Sequence, residues 1–401
     1  MRSTFTAAVF AFIALVSLSS VLHADTFEAK FLFRFGGSGS GDGLFVLPGG
    51  AAIDSVRGRI YVTDFHGHDL QIFDLNGNFI AKIGSMGSGD GQFISPSTIV
   101  VRQSTGTVYV TDGGNNRVQY FTPSGNSVVF AGKWGSSGTG DGQFQNPSGI
   151  DIDEETGNVY VGEFGGDRVQ YFSSTGSFIG KWGGLSDVTD VAVSETAGLV
   201  YVTEYNDSRY SIFELDGTAV DVVNEITPMR DFNQPAGVAV TQGGRVVVTD
   251  RTAPVPIFEG DGTLSPFEFS SFGDGDGELF LPYGIDIDEA SGLTVITEGN
   301  DFVSVWSVRW FNQAPIVKVK GKKRITTKRG RIRLKGIAFD ADSVLTKVEA
   351  KVGRKRYRPV KGLSPWKYRA RLKPGMNRIK VRAFDDEGGL SRGTKVKVKR
   401  E

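Results

Sequence analysis

A β-rich phrase ending in an acid, Tyr-Val-Thr-Asp in its fullest form, closes at Asp64, Asp112, Glu163, Glu204, Asp250 and Glu298, six times at intervals of 41 to 51 residues. A unit this short cannot bury its own apolar face, so successive copies must pack on one another. Periods in this range belong to propellers and arrays of small sheets. The third copy shows the internal order. A Gly-rich lead-in, Gly140-Asp141-Gly142-Gln143-Phe144, runs to Pro147 and a strand predicted over 149–153. Further strands are predicted over 159–163, 168–172 and 177–182, separated by turns at Thr156-Gly157-Asn158 and Thr175-Gly176. Period-two alternation of β-branched and aromatic residues, bounded by Gly, Asn, Asp and Ser, marks short antiparallel strands. Four such strands form one propeller blade.

The sixth copy supplies three strands, over 284–288, 293–298 and 303–308, and then stops. The fourth-strand pattern recurs at the other end of the chain, in Ala29-Lys30-Phe31-Leu32-Phe33-Arg34-Phe35-Gly36. Pairing that segment with the last blade would remove an open sheet edge. The fold expected is therefore all-β: a six-bladed propeller closed by its N-terminal strand, followed by a small β-sandwich.

Gly-Asp-Gly-Gln-Phe, Pro-Ser-Gly-Ile-Asp-Ile-Asp, Val-Tyr-Val and Asp-Arg-Val-Gln-Tyr-Phe resemble NHL repeats, over residues 25–312. Blades one to three and six carry the likeness most fully. Blade four passes from Trp182-Gly183-Gly184 to Asp187 without a Gly-Asp-Gly lead-in, and blade five reads Arg251-Thr252-Ala253-Pro254-Val255-Pro256 where its turn and third strand belong. Proline denies the ladder a donor, so an irregular strand is expected there.

Residues 1–24 read as an export signal: Arg2, an apolar stretch over 7–18, and Leu22-His23-Ala24 before the cleavage point. The apolar stretch is short for a bilayer and nothing later approaches one, so no transmembrane span is expected once the signal is removed. A secreted or periplasmic location follows. The chain has no cysteine, so disulfides and thiolate zinc sites are excluded.

Net charge is zero, yet residues 25–314 hold 15 Lys and Arg against 38 Asp and Glu, and residues 315–401 hold 29 against 7. Such asymmetry divides the chain into an acidic propeller over 25–312 and a basic unit over 313–401. Short alternating runs over 331–336, 347–352, 368–372, 378–384 and 394–399 predict a small sandwich. Gly336-Ile337-Ala338-Phe339-Asp340-Ala341-Asp342 and Pro374-Gly375-Met376-Asn377-Arg378-Ile379-Lys380-Val381 resemble the bacterial immunoglobulin-like modules of exported proteins. Arg331, Arg333, Lys335, Arg369, Arg371, Lys380, Arg382, Lys395 and Lys397 alternate with apolar neighbours and should cover an outer face. Such a face attracts polyanions, an acidic polysaccharide or an envelope surface among them, or docks on the acidic propeller itself. No motif for reading nucleic acid is present, and an acidic propeller repels phosphate.

Each Gly-rich loop leads to a strand rather than a helix, so phosphate cradles are not expected. The six closing acids could supply calcium with oxygen ligands, or could stabilise turns and pair with Arg117, Arg168 and Arg209. No metal or catalytic residue is assigned, and calcium is the one cofactor left open. The amidating lyases that share the NHL propeller hold zinc through histidines from different blades. Beyond the signal, this chain has only His66 and His68, on one turn. In a propeller, the loops joining fourth to first and second to third strands crowd one face. There Phe65, His66, Phe164, Tyr205, Arg251 and Tyr283 depart from the repeat. They suit a protein, peptide or glycan ligand, or else pack between blades. The reading is an exported, non-enzymatic binding or scaffold protein, with a calcium-dependent hydrolase or lyase as the alternative.

Overall fold

The computed structural model describes residues 26–227, 230–251 and 254–311, and shorter stretches of the basic unit: 316–319, 324–327, 331–339, 345–352, 357–359, 366–371, 373–385 and 394–400. The expected signal over 1–24 lies outside the described residues. Six four-stranded antiparallel sheets follow one another. Their innermost strands are Pro48–Asp54, Pro96–Arg102, Pro147–Ile152, Val188–Ser194, Pro235–Val240 and Pro282–Asp288. Six apolar clusters fill the six gaps between neighbouring blades, including the gap between the sixth blade and the first. Strand bounds in blade three fall within two residues of the expected ones. One 3-10 turn, Gly113–Asn115, is the sole helical element among the described residues.

Closure takes the expected form. The N-terminal strand Thr26–Gly36 pairs antiparallel with Phe302–Phe311 as the outermost strand of blade six. A register shift between Phe31 and Phe33 adds a feature that alternation alone does not predict. In a regular strand Phe27, Phe31, Phe33 and Phe35 would all share one face. Here Phe27, Ala29 and Phe31 pack between blades five and six, whereas Phe33 and Phe35 pack between blades six and one. The bulge turns the second half of the strand over, so one strand covers both flanks of the last blade.

The innermost strands share an irregularity of their own. In all six blades the register slips near the start of that strand, as between Pro48 and Ala51 or Pro282 and Ile285, and in five of them the amide that leaves the ladder finds a side-chain acceptor. The threonine of Tyr-Val-Thr-Asp takes it up. Gly50 N donates to Thr63 Oγ1 at 2.9 Å, and the same pairing joins Thr98 to Thr111, Asp190 to Thr203, Gly237 to Thr249 and Gly284 to Thr297. Each of these hydroxyls then donates to a carbonyl of the following blade: Thr63 to Ser97, Thr111 to Ser148, Thr203 to Ala236, Thr249 to Tyr283 and Thr297 to Gly49. Blade three has Gly162 at the threonine position because a Cβ there would strike Val188 of blade four. Ser148 supplies the missing hydroxyl, donating to the carbonyl of Val188. All six junctions are thus bridged in the same direction around the ring.

The lead-in loops are plugs rather than phosphate cradles. Phe45, Phe93 and Phe144 at their ends are fully buried at blade junctions, and each forms an isolated bridge to the start of its own loop. Blade five is irregular as expected: its third strand, Val255–Phe258, meets the second through only two residue pairs, against five in blade three. Thr252 and Ala253 of that turn lie outside the described residues.

The basic unit contains a three-stranded and a five-stranded sheet. Each run expected from the sequence overlaps an observed strand: Arg331–Phe339, Leu345–Val352, Trp366–Arg371, Gly375–Asp385 and Thr394–Arg400. Ile379, Val381 and Val398 are buried while Arg378 and Lys380 between them are exposed.

Phe31 pairs with Trp306 and Phe33 with the adjacent Val305, so deleting the unpaired Leu32 should leave a regular strand with every phenylalanine on its present face. That deletion should cost little in urea unfolding. Deleting Lys30 instead moves one half of the strand by a residue onto the opposite face and should cost about 3 kcal/mol, the scale of stripping a large aromatic from a core. Equal losses for the two deletions would mean that the bulge does not set the facing.

Candidate functional site

The residue that follows each closing acid stands at the rim of one face of the ring, and in the six blades it is Phe65, Gly113, Phe164, Tyr205, Arg251 and Gly299. Phe65 and Phe164 from this set, with Tyr283 from the start of an innermost strand, line a cavity of about 340 Å³ at the mouth of the channel. Leu47, Pro48 and Ala236 add apolar wall, and Asp190 lies at the floor. Tyr205 and Arg251 join the group by contact. The Phe164 and Tyr205 rings lie 6.0 Å apart. Arg251 Nη1 donates to the Tyr205 hydroxyl at 2.8 Å and to Gln234 Oε1 at 3.2 Å, and Nη2 donates to the Tyr283 hydroxyl at 2.6 Å. The guanidinium carbon lies 5.8 and 5.2 Å from those two ring centroids, within cation–π range. His66 is exposed and rests edge-on against Phe65, away from the cavity lining. His68 accepts from Ser95 N through Nδ1 at 3.0 Å, a structural use of the ring.

The six closing acids are fully or almost fully buried and are engaged within their own blades. Asp64 accepts from the amides of Val46, Leu47 and Gly67. Asp112 accepts from Ile94 N, Asn115, Arg117 and Gln119. Glu163 takes Gln145 N, Arg168 and Gln170, and Glu204 takes Ser186 N, Arg209 and Ser211. Asp250 holds Asn233 N, and Glu298 holds Phe280 N and Ser304. These carboxylates tie each lead-in loop to its blade, the turn-stabilising use, and their oxygens do not converge on the axis. Among the described residues, no group of three or more His, Asp or Glu is placed to hold a metal ion.

A different set of acids faces the channel. Asp151, Asp190 and Asp286 project from innermost strands, and each accepts an amide of the next blade: Val193 N at 2.6 Å, Val238 N at 3.1 Å and Ile53 N at 2.7 Å. Burial pushes the Asp190 carboxyl up to about 7 and that of Asp286 up to about 6, and raises Asp151 as well, against the partial relief of those amides. The alternating pattern hid Asp151 and Asp286 as ordinary strand residues. Asp190 is the one with a signal in the sequence, because it stands where blades one, three, five and six have Gly50, Gly149, Gly237 and Gly284. Gln234, which steers Arg251, precedes the strand proline and gave no sign of its role.

A family described as a 6-bladed beta-propeller (DUF5128) matches residues 49–128, and the NHL repeat matches residues 232–253. The NHL match falls on the first two strands of blade five, ahead of the proline-bearing third strand. The chain is a six-bladed propeller carrying an NHL repeat. It matches no curated protein. Among solved structures it is similar to a gluconolactonase of Xanthomonas campestris, at TM-score 0.52 and 15% identity, over 66% of this chain and 87% of that one. It is also similar to a protein of unknown function from Bacteroides thetaiotaomicron, at TM-score 0.55 and 15% identity, over 71% of this chain and 77% of that one. At such identities the likeness is one of fold.

The channel acids give the propeller a pH dependence of definite sign. Asp190 titrates near 3.8 in the unfolded chain and near 7 in the folded one, so the folded state binds more protons between those values. Its contribution is fully present below the lower value and is lost as pH rises through the higher. The thermal midpoint of Asp190→Asn, measured from pH 4 to pH 8, should therefore fall less steeply with rising pH than that of the wild type. Parallel profiles would contradict a buried, proton-retaining Asp190.

Proposed function

We propose that the protein is an exported binding or scaffold protein whose propeller mouth captures a protein, peptide or glycan. The basic unit, an immunoglobulin-like sandwich over 313–401, attaches it to an anionic polysaccharide or envelope surface. The observation that carries this reading is the mouth cavity, where Phe65, Phe164 and Tyr283 converge beside an arginine held by two tyrosine hydroxyls. A concave apolar wall with a few placed polar groups is what a ligand site requires, and aromatics with arginine dominate binding energy where they are found. The one carboxylate at the floor, Asp190, already accepts from Val191 N and Val238 N. Both of its oxygens are engaged by these amides, which favours binding over acid–base chemistry even though its proton is lost only near neutral pH.

The basic unit supports attachment through its register. Arg331, Arg333 and Lys335 stand directly opposite Arg371, Arg369 and Lys367, and Arg378 and Lys380 stand opposite Lys397 and Lys395. Like charges directly across a ladder repel, and a bound polyanion would relieve them. Arg371 and Lys380 are exposed. Arg382 is half-buried, bonded to Glu349 at 2.8 Å, and has Tyr357 against it. The side chains of Arg331, Arg333, Lys335, Arg369, Lys395 and Lys397 lie outside the described residues.

One experiment with two variants tests both halves. The full chain should bind within a panel of immobilised peptides and glycans, and Phe65→Ala/Phe164→Ala should lose that binding while remaining folded. It should also be retained on a sulfated polysaccharide at low salt, and Arg378→Glu/Lys380→Glu should elute earlier in a salt gradient. Unchanged capture by the first variant removes the mouth from the account, and unchanged elution of the second removes the basic face.

A further inference from the structure

Counting donors at the mouth leads beyond a generic binding site. A guanidinium carries five N–H donors. At Arg251 three are used, two on the Tyr205 and Tyr283 hydroxyls and one on Gln234. Its Nε is buried without an acceptor. Both tyrosine oxygens act as acceptors toward arginine, so each still has its own O–H to give, and neither meets an acceptor among the described residues. No carboxylate pairs with Arg251 among those residues, although the propeller over 25–314 holds 38 acids. The cluster is therefore a knot of donors around a single positive charge that has no counterion among the described residues. It is also held in place: Gln234 adopts a left-handed φ of 62° while bonding the guanidinium, a conformation that persists only where its surroundings fix it.

We propose that the Arg251, Tyr205 and Tyr283 cluster binds a carboxylate, and that the apolar or aromatic body attached to it lies in the cavity between Phe65 and Phe164. The inference rests on the reading of the mouth as a binding site and names what that site recognises. A guanidinium with flanking hydroxyls offers the charge-assisted donors that a carboxylate accepts. One positive charge offsets one negative charge, whereas the acidic propeller repels a multiply charged phosphate. A cavity of about 340 Å³ has room for one aromatic or branched side chain with a short stretch of backbone. The carboxylate could belong to a peptide C-terminus or to a free aromatic acid, and the two share this chemistry.

Saturation-transfer NMR on the full chain at pH 7 tests the proposal with the tripeptide Gly-Gly-Phe, its C-terminal amide, and phenylacetate as probes. The tripeptide acid should bind about tenfold more tightly than its amide, the scale of one charge-assisted contact. Arg251→Gln should bind acid and amide alike, and Tyr205→Phe, which keeps the ring and removes one donor, should narrow the preference. Phe164→Ala should weaken both probes. Tighter binding of the tripeptide acid than of phenylacetate indicates a peptide terminus, and equal binding a small acid; both support carboxylate recognition. Equal binding of acid and amide to the wild type, or a preference that survives in both Arg251→Gln and Tyr205→Phe, overturns the inference while the mouth remains a binding site. If no probe binds at millimolar concentration, the mouth reading fails with it.

Discussion

The ring of hydroxyl bridges is the constraint on which the rest depends. Each threonine closes two demands at once, an amide expelled from the ladder by the slip in its own blade and a carbonyl of the next blade that no strand reaches. A buried amide or carbonyl without a partner costs about 1–3 kcal/mol, so each hydroxyl prevents two such losses. Apolar packing between blades is strong but has no preferred register. A hydrogen bond does, and six in one direction fix how far each blade is rotated on its neighbour. Blade three shows that the bridge belongs to the junction rather than to threonine: where Gly162 makes way for Val188, Ser148 reaches the carbonyl of the next blade from another strand.

With the inner end of each blade fixed in this way and each closing acid engaged by its own lead-in loop, the residue just beyond that acid is relieved of structural duty. That position is where the chain varies, from Gly113 and Gly299 to Phe65, Phe164, Tyr205 and Arg251. The mouth thus collects side chains chosen for what they present. Strain gathers there too: Ser95, Asn146, Asp187, Gln234 and Leu281, each directly ahead of an innermost strand, hold positive φ angles between 46° and 62°. The channel beneath is of opposite character, with carboxyls that give up their protons at higher pH than usual because burial disfavours their charge.

Much of this was legible in the residues, because repetition compares each blade with its siblings. Six copies, four strands apiece and an orphan fourth-strand pattern at Phe31 to Phe35 were enough to place the closing strand. Departures from the repeat pointed to Phe65, His66, Phe164, Tyr205, Arg251 and Tyr283; three of them line the mouth cavity, Tyr205 and Arg251 adjoin it by contact, and His66 rests on Phe65 away from its lining. What stayed hidden depends on geometry that the repeat does not encode. The bulge between Phe31 and Phe33 is a register event, and nothing in the alternation of aromatics announces that one strand will serve two faces. Gln234 matters only because the ring brings it to Arg251. Asp190 was visible as a substitution for glycine, yet its partner, Val238 N, is 48 residues away in the next blade.

The most direct measurement is urea unfolding of Thr63→Val, combined with exchange of the Gly50 amide. Valine keeps the shape and removes the hydroxyl, leaving Gly50 N and the Ser97 carbonyl without their shared partner. The account requires a loss of about 1–3 kcal/mol and faster exchange at Gly50. A variant as stable as the wild type, with Gly50 still protected, would contradict the claim that hydroxyl bridges hold the ring in register.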